Sequence, residues 1–198
     1  DGKFYLYVTF VKPGDKMGTY VLVADRPEGP FRFTEGKGLF VSGEEVDSPA
    51  IINDIDGEPF IDDDGTGYIF WRRRNAARLS ADRLHLDGEP VTLKTARQGY
   101  SEGPVMFKRK GKRRGIYYYS CTLSGHQNYA DAYMMGRESP LTGFVKPEGN
   151  DIFLFSSPEN QVWGPGHGNV FYDERTDEYI FLYLEYGDGG TTRQIYAN

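Results

Sequence analysis

The 198-residue sequence predicts an all-β chain of β-propeller type, and three observations predict it. Tyr and Phe are abundant, 15 and 13 residues, beside 25 Gly, a balance that suits many short strands joined by tight turns. No window sustains a helical apolar period with caps at both ends. A strand-turn-strand unit recurs, and its aligned aromatics Tyr5, Tyr68, Tyr117 and Tyr179 stand 63, 49 and 62 residues apart, room for about four strands per unit.

In chain order, Asp1-Gly2 reads as a turn and Lys3 to Phe10 as an inner-edge strand whose preceding strand is expected to be missing. The next unit pairs Glu58-Pro59-Phe60-Ile61 with Tyr68-Ile69-Phe70 across the turn Asp62-Asp63-Asp64-Gly65, where Asp and Gly suit the backbone. The third pairs Val105-Met106-Phe107 with Ile116-Tyr117-Tyr118-Tyr119, and the fourth pairs Asn169-Val170-Phe171-Tyr172 with Tyr179-Ile180-Phe181-Leu182. A second echo links Arg26-Pro27-Glu28-Gly29-Pro30-Phe31 to Ser139-Pro140-Leu141-Thr142-Gly143-Phe144, each after a third strand. Thr192 to Ala197 reads as a third strand with no fourth after it. The expectation is one partial propeller domain over 1–198, with blades near 1–34, 48–95, 100–150 and 160–198, completed by polypeptide from elsewhere. Two stacked sheets would give similar strands without requiring the long-period echo.

Composition narrows the partners. A net charge of −6 argues against nucleic acid, whose phosphates demand a basic surface. The basic runs Arg72-Arg73-Arg74 and Lys108 to Arg114 are accordingly read as solvated hairpin residues. The single cysteine, Cys121, excludes an internal disulfide and a cysteine-based zinc cluster, and is expected as a small buried apolar side chain. No apolar stretch reaches the roughly 18 residues of a membrane span, so no membrane partner is expected. Localisation stays open, with a secreted or periplasmic site as the first expectation and a cytoplasmic one as the alternative.

Chemistry concentrates where strands begin. Asp56 and Glu102, 46 residues apart, occupy matching positions before or at the first strand of neighbouring units. Carboxylates placed there are costly to desolvate, and their isolated reading as turn residues is weakened by the repeat. Glycoside hydrolysis uses two carboxyl groups, one delivering a proton and one acting on water or carbon, and a further carboxylate nearby raises the acid's proton affinity. His167, between Gly166 and Gly168, holds the equivalent place on the last unit, where the glycines permit close backbone approach. Trp71, Tyr100 and Trp163 flank these positions and are candidates to stack on sugar faces, with ordinary core packing as the alternative. Arg193 is a candidate to bind a sugar hydroxyl or orient a carboxylate. The run from Asp54 to Asp64 fails the calcium-loop spacing, with Pro59 where Gly is needed. The three His, at 85, 126 and 167, lack zinc spacing.

These residues together resemble glycoside hydrolase family 43, inverting enzymes on a five-bladed β-propeller. Ile55-Asp56 followed by Phe60, Asp62-Asp63-Asp64-Gly65 and Tyr68 is similar to the segment bearing the family's pKa-modulating aspartate. Ser101-Glu102-Gly103-Pro104 looks like its general-acid motif, Gly166-His167-Gly168 its central histidine segment, and Arg193 its active-site arginine. The resemblance implies Glu102 as general acid, Asp56 as modulator, and His167 as holding a water or, through water, a structural calcium; no cofactor is required. It also implies that the base aspartate, from the first blade, is absent: Asp1, Asp25 and Asp47 match no base motif. The implied fold is a five-bladed propeller lacking the first blade and part of the second. The implied activity is exo-acting arabinofuranosidase or β-xylosidase action on plant polysaccharides or oligosaccharides such as xylan. A non-catalytic carbohydrate-binding propeller is the alternative, and a protein-interaction propeller a third reading.

Overall fold

The computed structural model describes residues 2–11, 17–34, 48–95, 97, 100–110, 115–123, 129–187 and 192–198. Asp1, Asp47, His126 and positions 111–114 of the second basic run lie outside the described residues. Thirteen strands are described: β1 (Phe4–Val11), β2 (Met17–Ala24), β3 (Glu58–Ile61), β4 (Gly67–Trp71), β5 (Asn75–Leu79), β6 (Leu86–Thr92), β7 (Glu102–Lys108), β8 (Tyr117–Thr122), β9 (Ala130–Gly136), β10 (Ile152–Phe155), β11 (Gly166–Asp173), β12 (Glu178–Tyr186) and β13 (Thr192–Ala197). They form four antiparallel meanders, β1-β2, β3-β4-β5-β6, β7-β8-β9-β10 and β11-β12-β13. Sequential strands pair because short turns let each strand fold directly onto its predecessor.

The β3–β4 turn shows how the sequence dictates this. The Asp62 amide donates to the Thr66 carbonyl at 2.9 Å, and Gly65 closes the turn at φ 84, a value that favours glycine. The echo between 26–31 and 139–144 has a common structural role. Each segment turns the chain back onto the strand that precedes it, bridging Val23 on β2 to Arg32 and Met135 on β9 to Val145.

Alternation along a strand then fills the seams between sheets. On β4, Phe70 packs toward the following sheet with Met106, Tyr117, Tyr119, Cys121 and Met134, while Ile69 and Trp71 pack with Ile52, Ala77 and Leu79. Burial pushes the Cys121 thiol up to about 12, keeping it a neutral core group. Tyr20, Leu22 and Phe33 form a separate cluster on the first sheet, with Phe10 stacked on Tyr20. The seam between the third and fourth sheets differs, holding a cavity of about 240 Å³ walled by aromatic side chains including Phe107, Tyr118, Tyr133 and Phe181.

Polar ties cross the seams as well. Asp62 accepts from Lys108 Nζ and Tyr117 Oη, each at 2.6 Å, and the Lys108 ammonium lies over the Tyr117 ring. Lys108 is therefore a half-buried anchor, which corrects its reading as a solvated hairpin residue. Arg72–Arg74 likewise forms a short 3₁₀ turn between β4 and β5 in which only Arg73 is exposed. No helix among the described residues is long and apolar enough to cross a membrane.

Candidate active site

Two acidic segments meet because the Arg72–Arg74 turn lies between them. The Arg72 amide donates to the Ile55 carbonyl at 3.4 Å and the Arg73 amide to the Ser101 carbonyl at 2.9 Å. Arg72 also pairs with Asp54 at 2.8 Å, and Arg74 donates to the Ser101 hydroxyl at 3.3 Å. Two threonines from the first sheet cradle the Asp56 turn. The Asp56 amide donates to Thr9 Oγ1 at 3.1 Å and the Gly57 amide to Thr19 Oγ1 at 3.3 Å. Gly57 is needed there, since a Cβ would sit 2.6 Å from Thr19 Cγ2.

Asp56, Gly103 and His167 all have left-handed backbones, with φ of 63, 49 and 47. In β7 and β11 this coincides with register shifts between Glu102 and Val105 and between Gly166 and Asn169. A bulge re-aims one side chain without ending the strand, and here it falls at equivalent places on two successive sheets. The result is one cleft of about 270 Å³, walled by Tyr7, Thr9, Asp56, Glu58, Gly103 and His167 among others.

Within it, Asp56 Oδ2 accepts the Gly103 amide at 3.1 Å, and Asp56 Oδ1 lies 3.8 Å from His167 Nε2. Burial raises the Asp56 pKa, opposed by the His167 imidazole and the Gly103 amide, while the Glu102 charge adds to the rise. Glu102 is 7% exposed, and its two oxygens accept the phenol hydroxyls of Tyr100 and Tyr129. The Tyr100 phenol is pushed up to about 12, mainly by desolvation and then by this bond to Glu102. Across the cleft, Glu58 accepts from Asn169 Nδ2 at 2.9 Å, and burial lifts its carboxyl to about 7.

The fold thus brings Asp56, Glu102, His167 and Tyr100 into one constellation. Tyr100, expected as a stacking platform, acts on Glu102 through its hydroxyl. Among the described residues Arg193 bonds no carboxylate directly. Its guanidinium donates to Tyr186 Oη at 2.8 and 3.2 Å, the Tyr186 ring meets Tyr129 edge-on, and Tyr129 binds Glu102. Trp71 is a correction: it is 6% exposed and belongs to the seam core, because its position on β4 faces the preceding sheet. Trp163 is half-buried before β11, its carbonyl taking the Tyr186 amide, and does not wall the cleft. Sequence reading missed Tyr129, Thr9, Glu58 and Arg72; strand register across β7, β8 and β9 was the one signal that could have led to neighbours of Glu102.

A calcium at His167 finds little support from the side chains. No group of three His, Cys, Asp or Glu able to hold a metal ion occurs among the described residues, and His167 faces Asp56. No step below passes through a metal.

Comparison with known proteins identifies the family. The family model for glycosyl hydrolases family 43 matches residues 1–197. A β-D-galactofuranosidase of Aspergillus niger is 30% identical over 193 residues, covering 92% of this chain and 51% of that protein. An arabinoxylan arabinofuranohydrolase of Bacillus subtilis is 32% identical over 150 residues, covering 65% of this chain and 27% of that protein. The chain therefore spans about half and about a quarter of these relatives. A solved glycoside hydrolase is 41% identical with a TM-score of 0.81, covering all of this chain and 44% of its own. A thermostable family-43 glycoside hydrolase superposes with a TM-score of 0.80 at 23% identity, over all of this chain and 68% of its own, a likeness of fold. The architecture is all-β, of the five-bladed β-propeller class, and the chain belongs to glycosyl hydrolases family 43.

Proposed function

We propose that this chain is the greater part of the catalytic domain of an inverting, exo-acting glycosidase that removes a pentose such as arabinofuranose or xylose from plant polysaccharides or oligosaccharides. The observation that carries the reading is the hydrogen bond from the Gly103 amide to Asp56, which ties the Asp56 carboxylate to the residue next to Glu102. Glu102 protonates the departing glycosidic oxygen, and Asp56 holds its segment in place through the Gly103 amide. The phenols of Tyr100 and Tyr129 fix the Glu102 rotamer, and the exposed Tyr100 is the one that yields to substrate. His167 shapes the sugar subsite, and Arg193 braces it through Tyr186. The base that activates water is supplied by polypeptide outside these residues. An inverting site leaves roughly 6.5–9.5 Å between acid and base for that water. Both curated relatives cited above are named for furanosides, which makes a furanose ring the first substrate to test.

The test joins this chain to the first-blade segment of its family and assays aryl arabinofuranosides, galactofuranosides and xylosides, reading the product anomer by NMR. The joined protein is expected to hydrolyse one of them with inversion, and the chain alone to be slower by about 10²–10⁴-fold, the usual contribution of a general base. Activity that survives Glu102→Gln on a substrate whose leaving group is a sugar alcohol, which needs a proton to depart, would remove Glu102 from the acid role. The engagement of both Glu102 oxygens by phenols also suits a non-catalytic carbohydrate-binding propeller. Sugar binding with no turnover in the joined protein would establish that reading.

A further inference from the structure

A third carboxyl group stands behind the cleft and has no part in the reading above. Asp131 on β9 is 2% exposed. Strand register places Glu102, Thr122 and Asp131 opposite one another across β7, β8 and β9, so the three share one face of the sheet at its cleft end. The Thr122 hydroxyl donates to Asp131 Oδ1 at 2.7 Å and accepts the His167 amide at 2.9 Å, and that amide also interacts directly with the Asp131 carboxyl. A hydroxyl has one proton. With that proton committed to Asp131, a lone pair is left to receive the His167 N–H, so Asp131 sets the polarity of the link.

What the link holds is a strained residue. His167 sits at φ 47, in a region that side chains other than glycine adopt only when neighbours impose it. The glycines beside it are closely packed. A Cβ on Gly166 would lie 3.0 Å from Asp131 Oδ1 and 3.2 Å from Thr122 Cγ2, and a Cβ on Gly103 would lie 2.9 Å from His167 Cγ. The imidazole held this way lies 3.8 Å from Asp56 Oδ1, and Asp56 in turn takes the amide that follows Glu102.

We propose that Asp131 is a positioning residue for glycosidic bond cleavage, acting on the His167 backbone directly and through Thr122, and through His167 on Asp56. The proposal rests on the function given above. Asp131 and Thr122 touch neither substrate nor the reacting atoms in this scheme; they set where the modulating carboxylate stands relative to the acid. An oxygen acceptor at position 131 is what the relay needs, and burial that lifts the Asp131 carboxyl to about 7 does not remove it, because the protonated form still offers an oxygen.

The experiment compares Thr122→Val, Thr122→Ser, Asp131→Ala and Asp131→Asn in the joined protein on two substrates of one sugar. One carries a dinitrophenyl group, which leaves without a proton, and the other a sugar alcohol, which needs one. Thr122→Val and Asp131→Ala are expected to lower kcat on the second substrate by about 10²-fold, the cost of a small misplacement of catalytic groups, and to affect the first far less. Thr122→Ser and Asp131→Asn are expected to recover most of that loss. Equal losses on both substrates, or no loss in Thr122→Val, would overturn the proposal. Amide exchange of His167, followed by NMR in the chain as given, decides the relay without any turnover. It is expected to quicken in Thr122→Val and Asp131→Ala and not in Thr122→Ser, and an unchanged rate in Thr122→Val would also overturn it. A joined parent protein that cleaves no glycoside would sink the function while leaving the exchange result to judge the relay.

Discussion

Glu58 shows how much one side chain's surroundings can change its chemistry. Read from sequence, it is a strand residue before Pro59; in the fold it enters the central cleft and meets Asn169 from the opposite sheet. Burial lifts its carboxyl from an ordinary 4.5 to about 7, and the Asn169 amide offsets only part of that. Asp131 is lifted in the same sense, from 3.8 to about 7. A raised carboxyl holds its proton more tightly when folded than when unfolded. The stability it contributes is complete below the unfolded value and is lost as pH rises through about 7. Urea unfolding at a series of pH values should therefore show wild type weakening between about pH 4.5 and 7.5, with Glu58→Gln flattening part of that slope and Asp131 and Asp56 contributing in the same sense. An identical slope in Glu58→Gln would show that Glu58 titrates normally.

At the scale of elements, the β3–β4 hairpin carries the site's registration. Its turn was expected as an exposed Asp-Gly loop, and the backbone agrees, yet Asp62 is drawn into the next sheet by Lys108 and Tyr117. Removing Asp62 leaves a buried phenol without its acceptor, while Lys108, 19% exposed, keeps Asp63 at 2.9 Å. Asp62→Ala is expected to cost about 1–3 kcal/mol in chemical unfolding, and Asp62→Leu with Tyr117→Phe and Lys108→Met distinctly less, because leaving a buried donor without its acceptor costs more than replacing all partners by apolar groups. Equal losses in the two variants would show that packing, not charge, dominates the seam. The Arg72–Arg74 turn teaches the same lesson from the other side. Three consecutive arginines look solvated in sequence, but two are half-buried because their backbone and side chains bridge the Asp56 and Glu102 segments.

Over the whole molecule, burial is uneven. The first three sheets hold nearly all the buried apolar side chains, whereas among the strands β11–β13 only Tyr186 joins them, and Ile195 is 83% exposed. The seam joining this last sheet to its neighbour contains the 240 Å³ cavity in place of a buried cluster. Local stability follows buried contacts, so amides of β11–β13 in this chain should exchange before those of β4, β5 and β8 in hydrogen-exchange measurements. Uniform exchange across all four sheets would contradict this.

Much of this architecture was legible in the chain itself. Aromatic strands, Gly turns and the 63-, 49- and 62-residue spacing indicated all-β structure in repeated units, because strand periodicity and turn chemistry are local properties written residue by residue. The repeat also located Asp56, Glu102 and His167 at equivalent strand entrances. Which side chains act on them was decided only in three dimensions. Tyr129 reaches Glu102 from the residue before β9, two strands away in the same sheet, and Thr122 reaches His167 from the adjoining sheet, while Trp71 was withdrawn into a seam by the alternation of β4. Local conformation follows from short-range sterics, but the partners of a buried polar group depend on which distant segments the packed sheets bring within about 3 Å of it.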